Sequence, residues 1–385
     1  MVFEMQSIIF VSEINVLSEK VTSTHILTEN IIYGLKKGGY NVCFIAICET
    51  DDAYANTSKY YTDKVDDLYI IKSKFGNSDN KYKKLFYMFK GMLHLLNYKR
   101  LIPQKIKVDN NTVLVSHAPS LEAIFVCNEI MKQYLGLKYI QYWSDPIALS
   151  GIMPEQFNLK RKPFYLLEKN AYKKADEIVF GTKTLFEINS KLYPEFKRKM
   201  RFVDLAYLHN KKGYSQITEN SSKFIYAGNY YSSIRNIKPL YDAFNELGGK
   251  YVLNIYGNGD INLTETPNVK IYGRVSPVEL TKIESSYKNT ISLLNYSCMQ
   301  IPGKTFYQTG TNKIILVIVD GAHKNELTDS LLQYNRFVIC SNNKEDIKAK
   351  ITDISEIDKY ECPKEILDKL SPESVSKSII EYNCS

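Results

Sequence analysis

Apolar runs of strand length alternate with longer segments of helical periodicity in the first half of the chain. The runs are SIIFVSE at 7–13, NVCFIAI at 41–47, DLYIIK at 67–72, TVLVSH at 112–117, KYIQYWSD at 138–145 and EIVFGT at 177–182. Strands that are covered on both faces of a parallel sheet have this near-continuous apolar character. The pattern therefore predicts a parallel sheet with helices on both faces.

A second series of the same kind follows a polar stretch. It consists of KFIYAG at 223–228, YVLNIYG at 251–257, VKIYGR at 269–274, NTISLLN at 289–295, IILVIV at 314–319 and FVICS at 337–341. The stretch at 210–222, NKKGYSQITENSS, is typical of a linker. We predict an α/β protein with two Rossmann-like doubly wound domains, 1–209 and 223–370, facing a central cleft. The tail at 371–385 is predicted to be a helix that packs back on the first domain.

The composition is that of an ordinary soluble globular enzyme. Of 385 residues, 44% are hydrophobic and 24% are charged. The N-terminal stretch carries an acid where a signal peptide has basic residues, and no apolar run is long enough to span a bilayer. We therefore expect a cytoplasmic protein. The seven cysteines and five histidines lack metal-ligand spacing, so we expect no metal site.

The net charge of +8 is concentrated in one segment. Residues 72–107 contain ten lysines and arginines but one acid, Asp79, and they mix these charges with Phe, Met and Leu. Such a segment can lie on the anionic inner face of a membrane, and an amphipathic helix packed on the sheet is the alternative. Because basic and aromatic residues coincide only there, we do not expect nucleic acid as a partner.

Several common catalytic and phosphate-binding motifs are absent. The sequence has no G-x-G-x-x-G after its first strand, no Walker A motif, no G-x-S-x-G and no D-x-D pair. A bound diphosphate would therefore be neutralised by cationic side chains and backbone amides, without a metal ion or another cofactor.

Glycines and cations follow successive predicted strands of the second half. The glycines are Gly228, Gly257 and Gly273, and the cations are Arg235 and Arg274. Glycine lets a ligand approach the backbone closely, and arginine presents a fork that suits phosphate oxygens.

The segment QIPGKTFYQTGTNKIIL at 300–316 adds a turn at Pro302-Gly303 and a cation, Lys304. It predicts an anion site where free N–H groups begin a short helix.

Four blocks in this half resemble the nucleotide-sugar domain of glycosyltransferases with the B-type two-Rossmann fold, of the family-4 kind. In order, they are YAGNYYSSIRNIKPLYDAFNEL, NIYGNGD, IYGRVSP and IPGKTFYQTGTNKIIL. The resemblance implies metal-independent transfer of a sugar from a nucleotide donor, usually with retention of configuration. It implies that Arg235 and Lys304 hold the diphosphate, that Gly273-Arg274 lies beside the base and that Gly228 lines the donor site. Gly257 and Gly303 are further donor-site candidates.

The sequence departs from that family at two acidic positions. The family has glutamates where this chain has Met299 and Tyr307, and a shift by one residue aligns Gln300 and Gln308 instead. Tyr307, Gln300 and Gln308 are therefore our candidates for contacts to the hydroxyls of the donor.

The first half resembles the acceptor domain more weakly and contributes two catalytic candidates. His117 closes the run TVLVSH, as in family members whose histidine contacts the donor sugar, and a histidine without catalytic function is the alternative. Asp145 follows the only tryptophan, Trp143, and is a candidate to orient an acceptor hydroxyl or to act as the base if the enzyme inverts, although Ser-Asp-Pro is also a turn sequence. We expect Glu168 to be a solvated helix residue.

These observations predict a glycosyltransferase that acts on a glycan or lipid-linked acceptor in the assembly of a surface polysaccharide or glycoconjugate. Two alternatives are a non-catalytic partner subunit of a glycosyltransferase and a sugar-nucleotide epimerase of the same fold. An epimerase needs carboxylates in its cleft, and the chain is expected to be poor in them there.

Overall fold

The computed structural model describes residues 6–14, 16, 23–73, 106–118, 120–145, 147, 158–211, 222–296, 301–357 and 360–381. They divide into two compact units. The first contains the described residues of Met1–Ala148, Glu155–Asp204 and Pro372–Ser385, and the second contains those of Leu205–Ser371. Most of the predicted linker at 210–222 and nearly all of the basic segment at 72–107 lie outside the described residues.

The first unit contains a seven-stranded parallel sheet in the order β3-β2-β1-β4-β5-β6-β7. Its strands are β1 (Ser7–Glu13), β2 (Asn41–Cys48), β3 (Asp67–Lys72), β4 (Val113–Ala118), β5 (Lys138–Trp143), β6 (Glu177–Phe180) and β7 (Met200–Phe202). Its helices are α1 (Ser23–Lys37), α2 (Asp51–Tyr61), α3 (Leu121–Gln133), α4 (Asn158–Lys174) and α5 (Lys183–Leu192). A 3₁₀ turn at Pro194–Lys199 precedes β7.

The second unit contains a six-stranded parallel sheet in the order β10-β9-β8-β11-β12-β13. Its strands are β8 (Lys223–Ala227), β9 (Val252–Tyr256), β10 (Val269–Ile271), β11 (Asn289–Leu293), β12 (Ile314–Val319) and β13 (Val338–Ser341). Its helices are α6 (Lys238–Glu246), α7 (Pro277–Ser286), α8 (Gly303–Tyr307), α9 (Lys324–Leu332), α10 (Lys344–Ser355) and α11 (Lys364–Lys369). Short 3₁₀ turns occur at His209–Lys211 and Gly248–Lys250.

The central strands are apolar because both faces of each sheet are covered. Every residue of β12 is buried, and so is every residue of β4 and β11. Burial of a large aliphatic side chain stabilises the fold by about 1.5–3 kcal/mol, so these strands account for much of each core. The prediction of two doubly wound parallel sheets is confirmed.

Local sequence signals set several helix starts. Ser276 accepts a hydrogen bond from the N–H of Glu279 at 3.2 Å, and Pro277 follows it at the first position of α7. Ser120 accepts from Ala123 N at 3.1 Å in the same way at α3. Each of these caps satisfies one backbone donor that the helix itself leaves free.

The final helix, α12 (Pro372–Ile380), packs against α1 within the first unit. A Cβ atom at Gly34 would lie 2.1 Å from Pro372 O, so glycine permits this close approach. Arg201 donates to the carbonyls of Ser378 and Ile379 at 2.6 and 2.8 Å, near the end of the helix where carbonyls lack helical partners.

The sequence analysis did not identify α2, which has a polar sequence and buries only Ala53, Thr57 and Tyr61. These three residues lie on one stripe at four-residue spacing, a weak signal in an otherwise polar segment. In the part of the chain that the structure describes, no helix combines the length and apolar character needed to cross a membrane.

Candidate functional site

The candidate site lies where the strand order of the second sheet changes direction. β8 and β11 are neighbours there, with Ile225 aligned with Thr290. The chain continues outward from β8 on one side and from β11 on the other. The carboxyl ends of two such strands diverge into a crevice that commonly binds ligands in this class of fold. The segment that follows β8 carries both Gly228 and Arg235, and α8, which comes after β11 in the chain, supplies Lys304.

Lys304 folds back over the end of β8. Its Nζ donates to Ala227 O at 3.2 Å and lies 4.8 Å from the centre of the Tyr226 ring. A Cβ atom on Gly228 would lie 2.4 Å from that same Nζ. The glycine is therefore needed for the close approach of the lysine to the backbone. The sequence analysis had expected a ligand, and not a lysine, to make this approach.

Arg235 lies on the other side of the same loop. Its Nη1 donates to Asn229 O at 3.1 Å, and its Nη2 donates to Asn295 Oδ1 at 2.5 Å. Its Nε is buried and has no hydrogen-bond partner among the described residues. A buried N–H without a partner is costly unless a ligand or water supplies the acceptor.

We call Arg235 and Lys304 the cation pair. Burial and, secondly, the charge of Arg235 lower the pKa of Lys304 to about 7, while Glu284 acts in the opposite direction. Among the described residues neither cation forms an ion pair with a carboxylate. Two close positive charges destabilise each other, so a bound anion would stabilise both.

The loop after β9 lies directly against the loop after β8. Gly228 N donates to Tyr256 O at 2.8 Å, and a Cβ atom on Gly257 would lie 2.1 Å from Gly228 O. The packing of these two loops therefore explains why position 257 is a glycine, without any ligand. At position 228 the added atom would meet the end of a flexible side chain, whereas at position 257 it would meet backbone.

Gly273 and Arg274 lie beyond β10, further along the same edge of the sheet. Gly273 has a φ of +65°, a conformation that favours glycine, and Arg274 is exposed. Tyr272, which precedes them, stacks on Tyr256 with ring centres 4.7 Å apart. These residues are separated from the cation pair by β9, and their predicted role beside a base stays a prediction.

α8 differs from the predicted helix. It comprises the single turn Gly303–Tyr307 and not 304–309, and the Thr305 N–H is already bonded to Pro302 O at 2.9 Å. That free N–H groups at the start of this helix form an anion site stays a prediction, and Thr305 N is not one of them. The Lys304 side chain supplies a positive charge at this position.

The three candidates for hydroxyl recognition have different outcomes. Gln300 lies outside the described residues. Gln308 is buried, and its Nε2 donates to Glu284 Oε2 at 2.9 Å, so the side chain is held against α7. Tyr307 is half-buried, and its hydroxyl lies 2.9 Å from the position that a Cβ of Gly303 would take.

His117 is buried at the end of β4 in the first unit, with 1% of its surface exposed. Its Nδ1 lies 3.0 Å from Thr28 Oγ1, and its Nε2 lies 3.2 Å from Ser144 Oγ. Burial lowers its pKa to about 4, so the ring is neutral at physiological pH. The structure therefore gives this residue the surroundings of a satisfied core histidine, and direct contact with a donor sugar stays a prediction.

Asp145 joins this arrangement through the adjacent serine. Ser144 Oγ lies 3.2 Å from Asp145 Oδ2, and burial raises the pKa of Asp145. We call Thr28, His117, Ser144 and Asp145 the histidine chain. If His117 Nε2 donates to Ser144, the single serine proton can go to Asp145 Oδ2 or to Ala118 O, each 3.2 Å away. The histidine chain can orient Asp145 while His117 stays buried.

Three glutamates that the sequence analysis missed meet at the carboxyl edge of the first sheet. Burial, Glu122 and Glu49, in that order, raise the pKa of Glu13 to about 7. Glu13 also hydrogen-bonds Ser120 and Glu49. Glu122 is buried and accepts a hydrogen bond from Ser73 Oγ at 2.5 Å. We call Glu13, Glu49 and Glu122 the carboxylate cluster. They are far apart in the sequence, and the only sequence signal for the cluster is that Glu13 stands at the end of a predicted strand.

Glu168 differs from its prediction. It was predicted to be solvated, but it is fully buried and accepts hydrogen bonds from Ile147 N at 2.5 Å and Tyr193 Oη at 2.6 Å.

In the described ranges, no group of three or more histidine, cysteine or carboxylate side chains is arranged to hold a metal ion.

Comparison with known proteins identifies the architecture. No protein-family model matches the sequence, and the search of curated proteins gives no match. Solved structures do match, and each of the following covers nearly all of both chains. A sucrose-phosphate synthase from Thermosynechococcus elongatus superimposes with a TM-score of 0.61 at 11% identity, covering 97% of this chain and 94% of its own.

The chain has the GT-B fold. A glycosyltransferase from Rickettsia africae shares it with a TM-score of 0.57 and 13% identity, covering 98% of this chain and 93% of its own. LpCGTa in complex with UDP matches with a TM-score of 0.55 and 10% identity, covering 98% and 94%. At such identities the similarity establishes the GT-B fold, and the side chains described above must support any function.

Proposed function

We propose that this GT-B protein transfers a sugar from a nucleotide-sugar donor to a glycan or lipid-linked acceptor. In this proposal the donor diphosphate binds at the cation pair of the second unit. The resemblance of the sequence to family-4 glycosyltransferases supports the same reaction and favours retention of configuration. It also supports a place in the assembly of a surface polysaccharide or glycoconjugate.

The observation that carries the proposal is the unsatisfied state of the cation pair. Arg235 has a buried Nε without a partner among the described residues, and the pKa of Lys304 is lowered to about 7 by burial and by Arg235. A diphosphate would supply acceptor oxygens to the first residue and negative charge to both. The two cations follow adjacent strands at the switch point, where this class of fold binds its ligands.

The same contacts have a chemical consequence. When the glycosidic bond to the donor breaks, negative charge develops on the departing nucleoside diphosphate. Positively charged donors fixed beside that group stabilise the developing charge without having to reorganise during the reaction. Arg235 and Lys304 would act in this way, and a protonated Lys304 is needed for the effect.

In the first unit, Asp145 is the proposed residue that orients the acceptor hydroxyl. Its carboxyl is held by Ser144 and through it by His117, and the pKa of Asp145 is raised by burial. A carboxylate with a raised pKa is a better proton acceptor. His117 would act through Ser144 as a positioning residue.

The proposal is tested by thermal stabilisation with UDP, GDP, ADP, CMP and dTDP. We expect one diphosphate to raise the melting temperature of the wild type. The same diphosphate should not raise the melting temperature of Lys304→Gln or of Arg235→Gln. Lys282→Gln and Arg198→Gln remove exposed charges and serve as matched controls. If none of the four diphosphates and not CMP either stabilises the wild type, the donor site is not at the cation pair.

A non-catalytic partner subunit is the first alternative, favoured by Met299 and Tyr307 at the positions of the family's glutamates. It predicts that the nucleotide binds normally. It also predicts that no sugar is transferred or hydrolysed over hours at high protein concentration. Detectable hydrolysis of a donor that is abolished in Lys304→Gln would contradict it.

A sugar-nucleotide epimerase is the second alternative, and the carboxylate cluster favours it. The sequence analysis expected few carboxylates, but Glu13 is hydrogen-bonded to Glu49 at the strand ends, with Glu122 beside them. Epimerisation by removal of a C–H proton would introduce deuterium from heavy water into the donor in the absence of an acceptor. Deuterium in the recovered sugar nucleotide, lost in Glu13→Gln, would favour the epimerase over the transferase.

Association with an anionic membrane is a separate proposal that rests on the charge of segment 72–107. At its ends, Lys72 pairs with Asp51 at 2.6 Å and Lys107 lies 3.9 Å from Asp67. The charges between these ends lie outside the described residues. Co-sedimentation with vesicles containing phosphatidylserine, but not with purely zwitterionic vesicles, is the expected result, and equal binding to both would contradict the proposal.

A further inference from the structure

A cavity of about 380 Å³ lies in the second unit at the carboxyl ends of β12 and β13. Tyr296, three residues beyond the end of β11, forms one side. Asp320 and Gly321, which follow β12, and Asn342, which follows β13, form the others. None of these residues was a site candidate in the sequence, because each follows its strand without a recognisable motif.

The cavity shares its wall with the loop that carries Arg235. Asn342 Nδ2 donates to the carbonyl of Asn236 at 2.9 Å, and Tyr296 N donates to Ile234 O at 2.7 Å. The segments on both sides of Arg235 are thus fixed to the cavity wall. Asn295, the residue before Tyr296, accepts the hydrogen bond from Arg235 Nη2.

Gly321 closes the wall against the segment after β11. It has a φ of +81°, and a Cβ atom there would lie 1.8 Å from Tyr296 O. Any other residue would force these two loops apart. The contact keeps Tyr296 beside the loop of the cation pair.

Asn342 presents an oxygen without a partner. Its Nδ2 donates to Asn236 O and to Asp320 Oδ2, the latter at 2.7 Å, and both partners can only accept. The orientation of the amide is therefore determined, and Oδ1 is the remaining atom. This oxygen is buried and has no hydrogen-bond partner among the described residues.

Asp320 adds further acceptor capacity. Its Oδ1 accepts from Gly321 N at 2.8 Å and its Oδ2 accepts from Asn342, so each oxygen keeps a free lone pair. The cavity thus offers carboxylate and amide oxygens beside the Tyr296 ring, which is 58% exposed. Hydroxyl groups are the donors that fit these oxygens, and the negative face of the ring suits the C–H face of a sugar.

We infer that this cavity holds the sugar of the donor, with Asp320 and Asn342 accepting hydrogen bonds from its hydroxyls and Tyr296 packing on its apolar face. The inference rests on the proposed function, because it assumes that the diphosphate binds at the adjoining cation pair. It names a source for the carboxylate that this chain lacks at Met299 and Tyr307. That carboxylate follows β12 and belongs to Asp320.

The experiment measures two kinds of affinity by calorimetry. One is for the nucleoside diphosphate that stabilises the wild type, and the other is for sugar nucleotides with that base that carry glucose, galactose, mannose or N-acetylglucosamine. Asp320→Asn tests the carboxylate and Tyr296→Ala tests the ring. Asp329→Asn and Tyr54→Ala change an exposed carboxylate and an exposed ring elsewhere and are the controls.

We expect the wild type to prefer one sugar by about tenfold or more, since a site that pairs with a hydroxyl discriminates strongly. Asp320→Asn should reduce that preference to about twofold, and affinity for the diphosphate alone should change by less than about twofold. Tyr296→Ala should weaken all sugar nucleotides alike, with the diphosphate unaffected. The controls should behave as the wild type.

Three outcomes would overturn the inference. In the first, the sugar preference is retained in both Asp320→Asn and Tyr296→Ala. In the second, the wild type binds the diphosphate but ranks no sugar above another. In the third, the wild type binds no nucleoside diphosphate, and the proposed function then fails at the cation pair before the cavity is involved.

Discussion

The two units use the same sheet topology but differ in the chemistry at their strand ends. In the first unit, His117 near the end of β4 has a hydrogen-bonding neighbour at each ring nitrogen, Thr28 at one and Ser144 at the other. In the second unit, Arg235 keeps a buried N–H without a partner among the described residues, and the pKa of Lys304 is lowered to about 7 by burial and Arg235. The ring nitrogens of His117 thus have their partners within the first unit, whereas the cation pair has no carboxylate partner among the described residues.

Sheet topology determines the edge at which a ligand can bind, and the side chains at that edge determine which ligand binds there. Both sheets present a switch point, between β1 and β4 in one and between β8 and β11 in the other. The first is lined by neutral and acidic groups, and the second by cations. The proposed function accordingly places the nucleoside diphosphate at the second unit and the acceptor hydroxyl at the first.

The largest expected effect comes from removing the charges of the cation pair. Each charge-assisted hydrogen bond contributes about 1.5–3 kcal/mol, so Arg235→Gln or Lys304→Gln should weaken diphosphate binding by about tenfold to a hundredfold. The double variant should weaken it further. These affinities are measured by calorimetry. The affinity of His117→Gln for the diphosphate should equal that of the wild type. A loss of affinity in His117→Gln equal to that in Lys304→Gln would remove the contrast between the units.

The next effect concerns the stability of the first unit. The pKa of His117 is lowered to about 4 in the folded protein by burial, against 6.5 as its ordinary value. Between these values the unfolded chain binds a proton that the folded protein does not, so stability falls as pH decreases from about 6.5 to 4. This histidine can account for up to about 3 kcal/mol of that loss.

His117→Gln should therefore reduce the dependence of the unfolding free energy on pH in this range. Chemical denaturation at several pH values measures it, and the comparison with wild type removes the contribution of Glu13. The pKa of Glu13 is raised to about 7 by burial and by Glu122 and Glu49, so this carboxyl acts in the opposite direction. An unchanged slope in His117→Gln would mean that the buried ring does not titrate as described.

A smaller effect is expected in the pH dependence of binding at the cation pair. A bound anion raises the pKa of Lys304 above its free value of about 7, so binding takes up a proton above that pH. Affinity for the diphosphate should fall by up to about tenfold for each pH unit between about 7.5 and 9. Lys304→Arg keeps its charge and should show little dependence, and an equal fall in that variant would assign the effect to another group.

The smallest effects distinguish two glycines that the sequence pattern treats alike. Gly228→Ala brings a methyl group against the Lys304 ammonium, which can move, so stability should change by less than about 1 kcal/mol while diphosphate affinity falls several-fold. Gly257→Ala meets the backbone of Gly228 and should lower the melting temperature instead. Gly249→Ala, with no atom within 4 Å of the added Cβ, is the control. Equal stability of all three variants would contradict the assignment.

Much of the fold was predictable because the signals are local. The runs KFIYAG and NTISLLN predicted β8 and β11, and their apolar character also predicted that they lie inside a parallel sheet. Ser276 and Pro277 begin α7 as their chemistry predicts. The polar helix α2 was missed because it buries only one narrow stripe.

The candidate site was predictable only in part. Residue types after strands indicated Arg235 and Lys304, because parallel strands bring their carboxyl ends to one edge. The sequence could not indicate that Gln308 is held by Glu284. Nor could it indicate that Asp320 and Asn342 face one cavity. Each of these contacts joins residues more than twenty positions apart.

The two parallel sheets can be predicted from the amino-acid sequence, since apolar periodicity and turn residues act over a few neighbouring positions. The contacts between polar groups, their burial and the shifts of their pKa values follow only from the folded structure. Lys304 and Gly228 illustrate the reason. The Lys304 ammonium lies 2.4 Å from the position that a Cβ atom on Gly228 would take, and this proximity depends on strand order and not on sequence distance. Burial and the charge of neighbours determine the protonation of a side chain, and both depend on contacts that form only when the chain is folded.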